Sequence, residues 1–244
     1  MGGWSLRSPL DRRQALALLA RGGALLVVGC GTGAAYEGPA CALAPALTAG
    51  PYWWDAPLHR FDLRWDSKPS TGAGPVPGVP LVLTLRLFTS TGDWCRPVRG
   101  ARVDLWQCDA RGSYSGIQDR GTAGRDFLRG FQVTDELGEV RFVTVYPGWY
   151  PGRAVHLHAK VRTFDPYGEV ITDTSTQLFF DDSVTDTVFE TEPYAARGPR
   201  TTRNGDDPIL RGHPAPFVSV AGSPGTGMQG KVEIGIRAGE IRRD

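Results

Sequence analysis

Short apolar runs, each cut off by glycine or proline, recur along this chain and confine it to strands and turns. Leu81 to Phe88 sets Thr84 and Arg86 among aliphatic residues. Ala101 to Gln107 (ARVDLWQ) and Met228 to Ile236 (MQGKVEIGI) alternate apolar with polar side chains. That is the period-two pattern of a strand with one buried face. Phe131 to Thr134 and Val140 to Val145 predict a hairpin around Asp135-Glu136-Leu137-Gly138, and Val155 to Thr163 and Thr176 to Phe180 predict two more strands. Asp181 to Thr191 has room for a turn or two of helix, and Pro193 to Pro216 is a long polar, Arg-rich segment. With 32 glycines and 19 prolines in 244 residues, the reading is an all-β, single-domain β-sandwich with long loops. No internal repeat and no dividing linker is evident.

Charge excludes one class of partner. The 27 basic and 26 acidic residues nearly cancel. There is no basic run or basic-aromatic stripe, so nucleic acid is not expected as a partner. Residues 1–30 read as an export signal: Arg12 and Arg13 precede an interrupted apolar stretch ending in Val27-Val28-Gly29-Cys30. This has the form of a lipoprotein signal with a twin-arginine character, and predicts an exported protein lipid-anchored at Cys30. Asp11 before the arginine pair and Ala15 after it depart from the usual twin-arginine pattern. Residues 31–46 read as a flexible tether and 47–244 as the folded domain. Disulfides are permitted outside the cytoplasm. Cys95 and Cys108 flank a turn at Arg96 to Gly100 and are the preferred pair, with the pairings of Cys41 left open.

The stretch Arg141 to Val161, RFVTVYPGWYPGRAVHLHAKV, concentrates the chemistry. It holds Tyr150, Arg153, His156 and His158 beside a Pro-Gly turn. On a strand, residues two apart share a face, so His156 and His158 stand together, about 7 Å apart, while Leu157 points the other way. Two imidazoles so placed can reach one metal ion. His59 and His213 have no such neighbours and read as surface residues. Thr48 to Trp54 (TAGPYWW) is apolar and aromatic but broken by Gly-Pro, and reads as a cover over something.

Three blocks together resemble the intradiol ring-cleavage dioxygenases: VDLWQCDARGSYSG, FLRGFQVTDELGEVRFVTVYPGWYPGRAVHLH and TQLFF, with TAGPYW upstream. The resemblance implies a ferric ion, Fe(3+), held by Tyr114, Tyr150, His156 and His158. It also implies Arg153 and Gln177 in the active site, with Tyr150 leaving the ion to accept a substrate proton. The implied substrates are a small aromatic diol and O2, and the product a muconate-type dicarboxylic acid. Phenolate is a hard anionic donor, and two phenolates with a hydroxide would neutralise three positive charges. Only five residues separate Tyr150 from His156, where the cytoplasmic enzymes carry an insertion; the short form is similar to the exported branch. The catechol enzymes' N-terminal helical dimerisation domain has no counterpart, so oligomeric state is not inherited. The alternative is a non-catalytic, transthyretin-like or adhesin-like β-sandwich binding module, suggested by VTDELGEV. A cupin-like site is a third reading, for which suitable partner residues are lacking. A binding module has no use for Tyr114, His156 and His158 together.

Overall fold

The structure is a computed structural model that describes residues 42–68, 74–91, 94–237 and 239, all within the compact unit Gly38–Asp244. The expected signal, Cys30 and Cys41 lie outside the described residues. The elements in order are β1 (Pro80–Thr91), β2 (Trp94–Pro97), β3 (Arg102–Trp106), β4 (Arg129–Val133), β5 (Glu139–Val145), β6 (His156–Phe164), β7 (Val170–Phe179), α1 (Asp182–Phe189), β8 (Ser219–Ser223) and β9 (Gly227–Ile236). None of the described helices is long and apolar enough to cross a membrane.

Two sheets face each other. In the first, β1 pairs in parallel with β9, and β8 pairs with the outer edge of β9. The other edge of β1 is shared, with β5 along Pro80–Arg86 and β2 along Phe88–Thr91. The second sheet is antiparallel in the order β4-β3-β6-β7. The core lies between them. Leu81, Leu83, Leu85 and Leu87 of β1 are fully buried, every second residue, as the alternation requires. They meet Val103 and Leu105 of β3, Leu157, Ala159 and Val161 of β6, and Leu178 of β7. Each such side chain stabilises the fold by about 1.5–3 kcal/mol relative to exposure.

The expected hairpin is not one. Its turn is present, with Gly138 N–H donating to Asp135 O and Asp135 N–H to Glu139 O. Yet β4 pairs with β3 in the second sheet and β5 with β1 in the first. The edges they would have offered each other are taken by a third segment. Arg60 and Phe131 pair through Arg60 N–H to Phe131 O, and Leu63 and Val143 through Leu63 N–H to Val143 O. The turn therefore carries the chain from one sheet to the other.

The expected Cys95–Cys108 bridge does not form either. Cys95 is disulfide-bonded, whereas Cys108 is a buried free thiol. The two belong to different sheets: Cys95 opposes Ser90 on β1, while Cys108 follows β3 and packs with Trp106 and Tyr114.

Candidate metal centre

The second sheet has an outer face, away from the core, and the candidate residues stand on it. Cross-strand register places Arg129 (β4), Trp106 (β3), His158 (β6) and Gln177 (β7) in one row, with His156 opposite Phe179 beside it. β6 is a central strand, so its histidines have neighbours on both sides. His158 lies nearly parallel to the Trp106 ring, 4.9 Å away at 10°. The segment Thr48–Trp53 crosses over this face, as its apolar composition requires. Tyr52 stacks on Tyr114 at 4.5 Å, and Trp53 packs on Trp106 at 4.7 Å. Thr48 O accepts from Gln177 Nε2 at 3.0 Å. Gly50, at φ +73°, passes His158 so closely that an added Cβ would lie 3.5 Å from its ring.

Four of the residues singled out in the sequence converge here. Tyr150 Oη is 3.0 Å from His156 Nε2, which is 3.2 Å from His158 Nε2. The Tyr114 ring stands edge-on to Tyr150 at 6.0 Å and to His158 at 6.2 Å. His156 Nδ1 lies 2.7 Å from Ala154 O, a contact that needs its proton on Nδ1 and so leaves a lone pair on Nε2. Burial, then the charge of Arg153, pushes His156 down to about 4. Burial and the neighbouring His156 push His158 down as well. Burial pushes Tyr150 up to about 12 and raises Tyr114 still more strongly. Without a cation, all four side chains are therefore neutral near pH 7.

The donor set fits a metal ion. Tyr114 Oη is buried and makes no well-formed hydrogen bond among the described residues, only a weak approach to the Tyr150 hydroxyl, and such poorly satisfied buried groups are uncommon in folded proteins. Two donors each about 2.1 Å from a shared ion, at right angles, lie about 3.0 Å apart. The observed 3.0 and 3.2 Å spacings agree. Among the described residues no cluster of three or more His, Cys, Asp or Glu side chains competes for a metal. A mixed phenol-imidazole set suits iron, and its hard oxygen donors favour the ferric form.

Two glycines seat the loops that deliver the phenols. Gly112, at φ +75°, has room for no side chain: a Cβ would lie 2.1 Å from Trp149 O. Gly148 meets Ala110 O in the same way, at 2.4 Å. The loop carrying Tyr114 and the loop carrying Tyr150 are thus pressed backbone to backbone, held by Gly148 N–H to Asp109 O. Gly112→Ala is expected to cost about 3 kcal/mol, from left-handed strain and overlap together. Urea unfolding of the variant checks this.

Arg153 and Gln177 also meet. Arg153 Nη2 donates to Gln177 Oε1 at 2.5 Å, and its Nε donates to Asp207 Oδ2 at 2.9 Å. Asp207 is fully buried. It also accepts from Ala154 N–H at 2.8 Å, Ile209 N–H at 2.8 Å and Leu210 N–H at 3.1 Å. Sequence reading missed Asp207, which lies in the Arg-rich segment, and Arg129 beside the histidines; Trp106 it left among the tryptophans of core or pocket wall. Strand register, with Trp106 opposite both His158 and Arg129, would have revealed Arg129. His59 and His213 are exposed, as expected.

Fold and site together describe a β-sandwich protein with a phenol-imidazole cluster on one sheet. The chain belongs to the intradiol ring-cleavage dioxygenase family: the family model described as Dioxygenase matches residues 50–190. It is 32% identical over 149 residues to the protocatechuate 3,4-dioxygenase beta chain of Burkholderia cepacia, a match that spans 56% of this chain and 60% of that one. Among solved structures it resembles an intradiol ring-cleavage dioxygenase from Tetranychus urticae, with a TM-score of 0.70 and 28% identity over 83% of this chain and 98% of that one. It also resembles the dioxygenase domain of a dioxygenase carbohydrate-binding protein fusion from Streptomyces sp. SirexAA-E. There the TM-score is 0.56, with 27% identity over 81% of this chain and 99% of that one.

Proposed function

We propose that this protein cleaves a catechol-type ring between its two hydroxylated carbons with O2, giving a muconate-type dicarboxylic acid. In this reading Tyr114, Tyr150, His156 and His158 hold a ferric ion. The observation that carries it is the convergence of three donor atoms within 3.2 Å of their neighbours, beside a buried phenol that makes no well-formed hydrogen bond among the described residues. When bound, ferric iron supplies a Lewis acid for both diol oxygens and draws electron density from the ring, which readies a ring carbon for O2.

The two phenols have unequal roles. Tyr114 is 3% exposed and fixed beneath Tyr52, so it stays in place. Tyr150 is only half-buried, on a loop whose next two residues, Pro151 and Gly152, are exposed. In this reading its Oη, a phenolate when it holds the ion, accepts a substrate proton. Arg153, held by Asp207 and Gln177, presents a fixed positive charge to the anion that forms on the ring. Both oxygen atoms of O2 end in the product, so no external reductant is required.

The purified protein, supplied with iron, is expected to be reddish from tyrosinate-to-iron charge transfer. Catechol, protocatechuate, hydroxyquinol and caffeoyl-type diols should be offered in turn, with oxygen uptake and product mass followed. A substrate should gain the mass of two oxygen atoms. A colourless protein that consumes no oxygen with any of them would favour the binding-module reading. We propose further that the protein is exported and lipid-anchored at Cys30. The disulfide at Cys95 supports an oxidising compartment.

A further inference from the structure

Arg129 is a buried charge that the chemistry above does not use. It stands on β4 in the same row as Trp106 and His158 and is 2% exposed. Its hydrogen bonds all go to neutral groups. Nε donates to Ser115 Oγ at 2.9 Å, Nη2 to Ser115 O at 2.9 Å, and Nη1 to Tyr52 O at 2.6 Å. No carboxylate is within salt-bridge distance of it among the described residues. Asp126, which acts on it from further off, is itself bonded to Arg60 and Ser67. A buried cation without a counter-charge is costly, so its retention calls for an anion in the working protein.

The guanidinium lies 5.9 Å from the Tyr114 ring centre and 5.5 Å from the Trp54 ring centre. Its three anchors belong to the two segments that enclose Tyr114: the loop through Ser115 and the crossing segment through Tyr52. We propose that Arg129 is a positioning residue that fixes Tyr114 between these segments and supplies a permanent positive charge beside its ring. This rests on the proposed function, since the anion in question is the metal-bound phenolate. A cation beside the phenolate lowers its donor strength. It therefore sets the energy of the charge-transfer band and the electron density left on the ion.

The test uses the full chain loaded with iron, and reads the visible spectrum before any turnover. Arg129→Met removes the charge and is expected to move the charge-transfer band to longer wavelength. Arg129→Lys keeps the charge and should leave the band near its wild-type position. Ser115→Ala removes one anchor without touching the charge, and stands in if Arg129→Met fails to fold. It should broaden the band and speed iron loss to a chelator. A steady-state comparison should show Arg129→Met lowering kcat about tenfold. An Arg129→Met protein that folds and keeps the wild-type band position overturns the proposal. So does a Ser115→Ala protein with wild-type bandwidth and iron retention. If the wild-type chain itself takes up iron without colour, the parent reading fails instead, and the two failures are distinct.

Discussion

Tyr114→Phe is expected to stabilise the metal-free protein while abolishing its activity. In the structure Tyr114 Oη is buried and makes no well-formed hydrogen bond among the described residues, only a weak approach to the Tyr150 hydroxyl. An unsatisfied buried hydroxyl costs about 1–3 kcal/mol, so its removal should raise unfolding free energy by about 1 kcal/mol in chelator-treated samples. The ring would keep its stacking on Tyr52 at 4.5 Å. With iron present the sign reverses, because binding to the native state alone adds stability and the variant lacks one donor. Oxygen uptake should fall by more than about a hundredfold, since even groups that only support ligands cost 10- to 100-fold when removed. Tyr150→Phe provides the contrast. Its Oη has a partner, His156 Nε2 at 3.0 Å, so the metal-free variant should lose about 1 kcal/mol and should also lose turnover. Paired urea titrations with and without iron decide the matter. A Tyr114→Phe protein that is destabilised in the metal-free state would mean that its hydroxyl has a structural partner. A variant that keeps wild-type colour and oxygen uptake would remove Tyr114 from the donor set.

The legible part of this protein was the part governed by local rules. Alternation in ARVDLWQ and MQGKVEIGI gave β3 and β9 because a sheet with one buried face permits little else. His156 and His158 fall on one face for the same reason, and the turn beside Tyr150 marks a loop that brings the phenol back over that strand. The β4–β5 turn was misread because Asp135–Gly138 looks the same whether its flanking strands pair together or with others. Only Leu58–Leu63, more than sixty residues upstream, decides between them, as the Phe131–Leu58 and Leu63–Val143 bonds show. Cysteine pairing failed similarly: proximity in sequence does not say that Cys95 and Cys108 enter different sheets. Arg129 was illegible since an arginine after Leu128 looks like any surface arginine. Its burial follows from register opposite Trp106 and from the segment folded over it.

Asp207→Ala is expected to lower both stability and activity although Asp207 lies outside the donor set. The Asp207 side chain is 0% exposed and that of Arg153 17%, so the pair is largely removed from water. Removing one member of a buried pair costs about 3–5 kcal/mol, because the remaining charge is left uncompensated. Three backbone N–H groups, of Ala154, Ile209 and Leu210, lose their acceptor at the same time. The damage reaches the site along a short path. Ala154 N–H is held by Asp207, and Ala154 O accepts from His156 Nδ1 at 2.7 Å, so the carboxylate fixes the entry to β6 as well as Arg153. Burial pushes the Asp207 carboxyl up, but hydrogen bonds from Ala154 N–H, Arg153 and Leu210 N–H offset this and hold it below its ordinary value. A depressed folded value means stability fully present above the unfolded pKa of about 3.9 and lost as pH falls through the folded one. Asp207→Asn, which cannot ionise, should therefore be less stable than wild type near pH 7 and should lose that disadvantage as the pH falls below about 4. Its oxygen uptake at pH 7 should drop about tenfold or more, since Arg153 is no longer held by charge. Equal stability of wild type and Asp207→Asn near neutral pH would show that the pair contributes nothing net. Unchanged oxygen uptake would show that Arg153 keeps its place without the carboxylate.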